Sequence, residues 1–316
     1  MKTVLITGGT GFLGRHLAKA LKKDYRVVVT GRNNKQNFQA NKISGCDVYP
    51  MDVARIESVR DTFLEVKPDI VIHAAATKFV DLSEKQPMEC IDVNVLGSQN
   101  VARVALEMKV DAVIGVSTDK AAPPIRNTYG LSKATMERVF CSLDNKSETR
   151  FMCVRYGNVA WSTGSVLPIW KQMHKETGVL RSTGPDMTRF FFTVDEAVNL
   201  VVTAVKNVDS LRGKILSREM KSSLIRDILD VWVEEFGGSW DTMEGRPGDR
   251  EYEHLIGDQE LEYTTKVDFD GIEHYVISFN ERAESPVKEV ISSHSAQRLN
   301  KDEIRKLITE APQEGL

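Results

Sequence analysis

Residues 117–133 read Ser-Thr-Asp-Lys-Ala-Ala-Pro-Pro-Ile-Arg-Asn-Thr-Tyr-Gly-Leu-Ser-Lys and hold a full set of proton-transfer groups. Tyr129 and Lys133 are separated by one helical turn, so both side chains fall on one face. A phenol beside an ammonium is a proton-transfer pair, because the cation favours the phenolate. Thr118 adds a hydroxyl, Asp119 a carboxyl group and Lys120 a second amine. Simple hydride chemistry at an alcohol needs only the phenol, one amine and the hydroxyl. The additional acid and base point to a second proton transfer, at a neighbouring carbon.

A glycine loop at the start of the chain says what the phenol would work beside. Lys2 to Ile6 reads as a short buried strand, Thr7-Gly8-Gly9-Thr10-Gly11-Phe12-Leu13-Gly14 follows, and Arg15 to Lys22 is amphipathic. Strand, glycine turn and helix in that order bring backbone N–H groups to a pyrophosphate at a helix N-terminus. Gly8, Thr10, Gly11, Phe12, Leu13 and Gly14 are the expected dinucleotide contacts. Two registers fit, Gly8/Gly11/Gly14 and Gly9/Gly11/Gly14.

The elements that must position these groups alternate in type. Arg26–Thr30, Ile70–His73, Ala112–Val116 and Phe151–Arg155 are short and rich in branched apolar residues. Amphipathic stretches separate them, near Arg55–Val66, Met88–Met108 and Tyr129–Leu143. This alternation predicts an α/β fold, a Rossmann-type doubly wound parallel sheet. After about residue 160 the alternation weakens, with helical runs at Thr193–Val205, Ser222–Glu235 and Lys301–Thr309. The expected division is a cofactor domain of residues 1–160 plus about 190–217. A smaller substrate domain takes about 161–189 and 218–316.

The second strand ends Val29-Thr30-Gly31-Arg32-Asn33, followed by Lys35. NAD sites usually carry an acid there to bind the ribose 2′-hydroxyl. Here two cations stand instead, and an Arg fork suits a 2′-phosphate. NADP is the expected cofactor, through Arg32 and Lys35, with NAD the weaker candidate. Asp52, followed by Val53, would meet the adenine or else cap the helix from Arg55.

Composition excludes several classes. With 41% hydrophobic and 28% charged residues, the 316-residue chain has ordinary globular proportions. A net charge of −3 gives no electrostatic footprint for nucleic acid or a membrane surface. No apolar run reaches membrane-spanning length, and no leader is expected before a strand that starts at residue 2. Cys46, Cys90, Cys141 and Cys153 show no C-x-x-C spacing and read as free buried thiols in a reducing cytoplasm. No metal site is expected.

With these motifs the chain resembles the extended short-chain dehydrogenase/reductases, and within them the UDP-N-acetylglucosamine 4,6-dehydratases of polysaccharide biosynthesis. The carrying residues are His73-Ala74-Ala75-Ala76, Asn94-Val95-Leu96-Gly97, Ser117–Ala121, Arg155–Val159, Met187–Phe190 and Arg246-Pro247-Gly248-Asp249. The resemblance implies that Ala74, Ala75, Ala76 and Asn94 serve the cofactor, together with Tyr129 and Lys133. It implies that Asn158 and Arg246 meet a sugar-nucleotide diphosphate and Asp249 the uridine ribose. Arg189 and Lys78 join the substrate residues, with solvated surface charge as the alternative for each. The loop from Asp119 to Tyr129 is one residue longer than the usual pattern, and Thr163 stands where an Arg is expected.

The implied chemistry begins with oxidation at C4, because a ketone makes the C5 proton acidic. Tyr129 takes the C4 hydroxyl proton, Lys133 favours its phenolate, and Thr118 bonds the reacting oxygen. Lys120, neutral, then removes the C5 proton, and Asp119, protonated, donates to the departing C6 hydroxyl. The product is a 4-keto-6-deoxy sugar. Two other readings stay open: a 4- or 5-epimerase on the same fold, and a non-catalytic NADP-sensing protein. A homo-oligomer, dimer or hexamer, is expected.

Overall fold

The computed structural model describes residues 1–245 and 248–312. Its centre is a parallel sheet in which β1 (Thr3–Thr7), β2 (Arg26–Gly31), β3 (Asp47–Pro50), β4 (Ile70–His73), β5 (Ala112–Val116) and β6 (Arg150–Val154) lie in the order β3-β2-β1-β4-β5-β6. The order reverses between β1 and β4, and the crevice at such a reversal is where doubly wound sheets bind ligands. Strands β1, β4 and β5 are buried along their whole length, as expected of a sheet covered by helices on both faces. Helix Phe12–Leu21 packs against Asn34–Ser44 and Val194–Lys206, while Gly97–Glu107 packs against Ile56–Val66 and Thr128–Asp144.

The sheet extends further than the sequence pattern suggests. Lys214–Arg218 adds in parallel beside β6, and the antiparallel hairpin Thr264–Phe269 and Ile272–Ser278 then closes the edge. The hairpin therefore belongs to the main sheet, not to the smaller unit to which 218–316 was assigned. A long excursion separates it from its partner strand, so local alternation carries no trace of the pairing.

The second unit has its own core, in which Trp170, Leu180, Phe191, Ile228, Leu229, Trp232, Ile304 and Ile308 are buried together. Its helices are Val166–Thr177, Ile225–Phe236 and Lys301–Thr309. The helical run expected from Ser222 opens instead as a strand, Ser222–Leu224, paired with Thr188–Phe192, and turns helical at Ile225. Thr188–Phe192 also pairs with Asn158–Val159. This small sheet ties the segment after β6 to the second unit.

Candidate active site

One cleft of about 1580 Å³ runs from the glycine loop to the small sheet. Single small-ligand sites occupy about 300–1,000 Å³, so the cleft has room for two ligands side by side.

The glycine loop forms one end. Gly8 has φ +64° and lies so close to the Ala74–Ala75 backbone that a Cβ would come within 2.7 Å of the Ala75 Cα. Gly14 meets Gly9 more tightly still, at the first turn of the helix. Gly8, Gly11 and Gly14 line the cleft with Thr10, Phe12 and Leu13. Gly9 instead packs against Val29, where a Cβ would come within 2.5 Å of the Val29 Cβ. The Gly8/Gly11/Gly14 register therefore faces the ligand side. Gly11 is the N-cap of Phe12–Leu21, so the free N–H groups of that helix open into the cleft. A dinucleotide pyrophosphate fits this cradle, whose shape depends on close backbone contacts that side chains at Gly8 or Gly14 would push apart.

At the ends of the second and third strands Arg32, Lys35, Asp52 and Val53 line the wall, where the adenine is expected. Arg32 is exposed and its Nη1 donates to Glu89 Oε1 at 3.0 Å. The acid missing from the second strand thus arrives from another part of the chain. Asp52 Oδ1 accepts from Ala54 N at 3.1 Å, and the N-cap of Ile56–Val66 is Arg55. Asp52 shapes the turn and faces the cleft; it does not cap the helix.

Ala74, Ala75 and Ala76 form the cleft floor. Asn94 sits behind them, fully buried. Its Oδ1 accepts from Thr77 N at 2.8 Å, and its Nδ2 donates to Thr77 O at 2.9 Å and to Ser132 Oγ at 2.9 Å. Asn94 holds the alanine loop to the Tyr129 helix rather than facing a ligand. It lies in a π-helical turn, Asp92–Leu96, which breaks the expected single helix Met88–Met108. Such turns often mark functional sites.

Tyr129 and Lys133 stand on Thr128–Asp144, whose start is fixed by Asn127 Oδ1 accepting from Gly130 N at 2.7 Å. Gly130 touches the Lys120 carbonyl closely enough that no Cβ fits between them. The short 3₁₀ turn Asp119–Ala121, capped by Thr118, is therefore pressed against the helix start. The longer loop between them, with its cis Pro123–Pro124 bond, still delivers both halves of the motif to one place.

Lys133 is buried and its Nζ donates to Val116 O at 2.7 Å, at the end of β5. Burial lowers its ammonium to about 8. The phenol of Tyr129 is pushed up to about 12 by burial, with Lys120 and a hydrogen bond to Thr118 pulling it down. Lys120 is thus the strongest cationic influence on the phenol, a role expected of Lys133.

Lys120 lies between two carboxyl groups. Its Nζ is 3.1 Å from Asp119 Oδ1 and 3.7 Å from Glu253 Oε1, and it donates to Asn158 Oδ1 at 3.3 Å. Desolvation works to lower its ammonium, yet the two carboxyls outweigh it and the net shift is upward. The two carboxyls therefore hold Lys120 as a cation, the opposite of the neutral base expected. Asp119 is fully buried, and its Oδ1 takes the Thr118 hydroxyl at 2.9 Å as well as Lys120. Thr118, Lys120, Tyr129, Lys133 and Glu253 line the cleft; Asp119 lies behind Lys120 and does not.

Glu253 escaped the sequence reading. It follows the Arg246–Asp249 motif, and only folding carries it to Lys120. Burial raises its carboxyl, Lys120 opposes that rise, and Asp119 adds to it.

Of the substrate candidates, Lys78, Asn158, Arg189 and Asp249 line the cleft. Arg189 is buried and anchored to Thr188 O at 2.8 Å, and Thr183 Oγ1 reaches Asp249 Oδ2 at 3.5 Å. Arg246 lies outside the described residues. Arg155 is turned away, bonded to Glu137 and Glu260 at 2.7 to 2.9 Å, and ties β6 to the helix and the 3₁₀ turn Asp258–Tyr263. Ser162, Thr163, Gly164 and Ser165 also border the cleft.

A Tyr–Lys pair at the switch-point crevice of this sheet defines an extended short-chain dehydrogenase/reductase, of the class that modifies nucleotide sugars. Residues 4–274 match the polysaccharide biosynthesis protein family, and the chain belongs to it. A UDP-glucose 4-epimerase of Rickettsia akari is 34% identical over 97% of this chain and 95% of its own. A Methanocaldococcus jannaschii protein described only as an uncharacterized membrane protein is 34% identical, over 98% of this chain and 96% of its own. Among the described residues here, no helix is long and apolar enough to cross a membrane. The structure of Pen from Bacillus thuringiensis superimposes with a TM-score of 0.90 at 28% identity, covering 98% of this chain and 97% of that one. The Thermus thermophilus UDP-glucose 4-epimerase in complex with NAD shares the fold, with a TM-score of 0.68 at 23% identity over 79% of this chain and 88% of that one.

Proposed function

We propose that the protein is an NADP-dependent 4,6-dehydratase of UDP-N-acetylglucosamine or a related UDP-N-acetylhexosamine, giving a 4-keto-6-deoxy sugar with or without inversion at C5. One observation carries the reading: beside Tyr129 and Thr118, the cleft holds a buried acid–base cluster that oxidation and reduction at one carbon do not need. Arg32 and Lys35 at the adenine end support NADP. The division into a cofactor unit and a substrate unit, and a homo-oligomeric state, belong to the same proposal.

When bound, the dinucleotide supplies a hydride acceptor at C4 that later returns the hydride to C6. Tyr129 takes the C4 hydroxyl proton, and Thr118 holds the same oxygen. Lys133, whose ammonium donates to Val116 O, would bond the nicotinamide ribose. Lys120 then takes the C5 proton, which requires that it first pass its own to one of the two carboxylates beside it, Asp119 or Glu253. Asn158, Arg189 and Asp249 hold the nucleotide sugar across the cleft from the glycine loop.

The second reading is a 4-epimerase, favoured by the curated relatives named UDP-glucose 4-epimerase. Incubation with UDP-N-acetylglucosamine separates the two. The dehydratase gives a product lighter by one water, with a new methyl signal in its NMR spectrum. An isomer of unchanged mass would overturn the dehydratase reading, and no turnover of either kind would leave the NADP-sensing alternative.

A further inference from the structure

We propose that Glu253, and not Asp119, is the acid that protonates the departing C6 hydroxyl; this rests on the dehydratase reading. The first ground is access. Glu253 lines the cleft beside Lys120, whereas Asp119 is sealed behind it with one oxygen already engaged by Thr118 and Lys120. The second is an unfilled valence. Glu253 Oε2 is buried without a hydrogen-bond partner, as is Asp119 Oδ2, so a proton on either satisfies a costly atom, but only Glu253 belongs to the cleft wall. Charge is the third. Asp119 and Glu253 flank Lys120, and their mutual repulsion in a desolvated site is offset only in part by Lys120, Arg189 and Arg250, since the Glu253 carboxyl stays raised. One extra proton relieves it, and burial favours placing that proton on Glu253.

The groups facing Glu253 suit this role. Lys120 and Asp119 approach from the 3₁₀ turn, Arg189 from Thr188–Phe192, and Arg250 from its own segment, with Arg250 Nη1 3.8 Å from Glu253 Oε2. That Nη1 also has no hydrogen-bond partner. Once Glu253 has given up its proton, Lys120 and Arg250 are in place to stabilise the carboxylate.

The step balances. The C5–H electron pair becomes the C5=C6 bond as Lys120 takes the proton. The C6–O bond breaks with its pair on oxygen, and the Glu253 proton completes a water molecule. The hydride then returns to C6, and Lys120 gives its proton back to C5. Tyr129 gained one proton at C4 and Glu253 lost one, so exchange between them through water closes the cycle. A protonated Glu253 also removes one of the two charges that hold Lys120 as a cation, which eases the base into its neutral form.

Wild type, Glu253→Gln, Glu253→Asp and Asp119→Asn are compared with bound cofactor and UDP-N-acetylglucosamine in deuterated water. Glu253→Gln should still reduce the cofactor and exchange the C5 hydrogen, while water loss slows by about 10²-fold or more. Glu253→Asp, which keeps an acid, should recover part of the rate, a rescue that a merely structural role would not produce. In wild type the water-loss step should fall as pH rises through the Glu253 pKa, since the acid must be protonated, and Glu253→Gln should lose that limb. Water loss by Glu253→Gln at the wild-type rate, with Asp119→Asn blocked after C5 exchange, overturns the assignment and leaves the dehydratase reading intact. A wild type that releases no water overturns both.

Discussion

Replacing Lys120 by Met isolates one electrostatic contribution to the phenol of Tyr129. Burial holds that phenol at about 12, even with Lys120 and Thr118 pulling downward. At about pH 8 such a phenol is ionised to roughly one part in 10⁴, a cost of about 5 kcal/mol. If C4 oxidation needs the phenolate, its rate rises about tenfold per pH unit over this range, because raising pH populates the reactive form. Losing Lys120 removes a cation that favours the phenolate. The profile should move to higher pH and the rate at fixed pH should fall, about tenfold for each unit of displacement, or about 1.4 kcal/mol. Lys133→Met should displace the profile less and mainly weaken dinucleotide binding, since Lys133 is tied to Val116 O. The assay is a single-turnover measurement of nicotinamide reduction from about pH 6 to 9 with UDP-N-acetylglucosamine. It reads C4 oxidation alone, so loss of the later base does not interfere. A profile that stays in place in Lys120→Met but moves in Lys133→Met would refute the attribution.

Arg32→Ala should weaken NADP by about tenfold, near 1.5 kcal/mol for one exposed charge-assisted contact, and leave NAD unchanged; calorimetric titration of both dinucleotides checks it. Asn94→Ala removes four hydrogen bonds, one of them to Cys90 Sγ, from a fully buried amide and should cost about 2–4 kcal/mol in urea denaturation, with weaker cofactor binding as the alanine loop loosens. Arg155→Met leaves Glu137 and Glu260 buried without their cation and should cost about 3–5 kcal/mol, with kinetics of the surviving folded enzyme unaltered. The Glu253 carboxyl is raised in the folded protein, so its contribution to stability is present below the unfolded value and is lost as pH rises through the folded one. Glu253→Gln should therefore gain on wild type by about 1 kcal/mol between acidic and alkaline denaturation series, and an equal loss at every pH would mark Glu253 as structural.

Much of the cofactor end was legible because its signals are local. The glycine loop needs its neighbours in sequence, β5 matched the expected Ala112–Val116, and Tyr129 and Lys133 follow from a single helical turn. What escaped depended on contacts between distant segments. The hairpin Thr264–Ser278 pairs with Lys214–Arg218 across a long excursion. Glu89 reaches Arg32, and Glu253 reaches Lys120, from far along the chain. Charge states escaped for the same reason. Asp119 and Lys120 name an acid and a base, but which one faces the cleft depends on how the 3₁₀ turn is pressed against Gly130.

That turn also bears on the choice between epimerase and dehydratase. Moving a hydride at C4 needs Tyr129, Lys133 and Thr118, and all three line the cleft without further help. Asp119, Lys120 and Glu253 add three ionisable groups to a desolvated site, where each ion costs several kcal/mol that pairing only partly offsets. Asp119 Oδ2 and Glu253 Oε2 remain without partners, a further cost of about 1–3 kcal/mol for each such atom. A cluster arranged for stability alone would satisfy those oxygens or replace them with apolar groups. The cluster is short of donors on the acids and holds the base in its charged form. Elimination is the chemistry in which that arrangement is useful: one proton must leave a carbon and another must reach an adjacent oxygen. Lys120 and Glu253, 3.7 Å apart and both on the cleft wall, are the groups to which the proposed reading gives those two transfers.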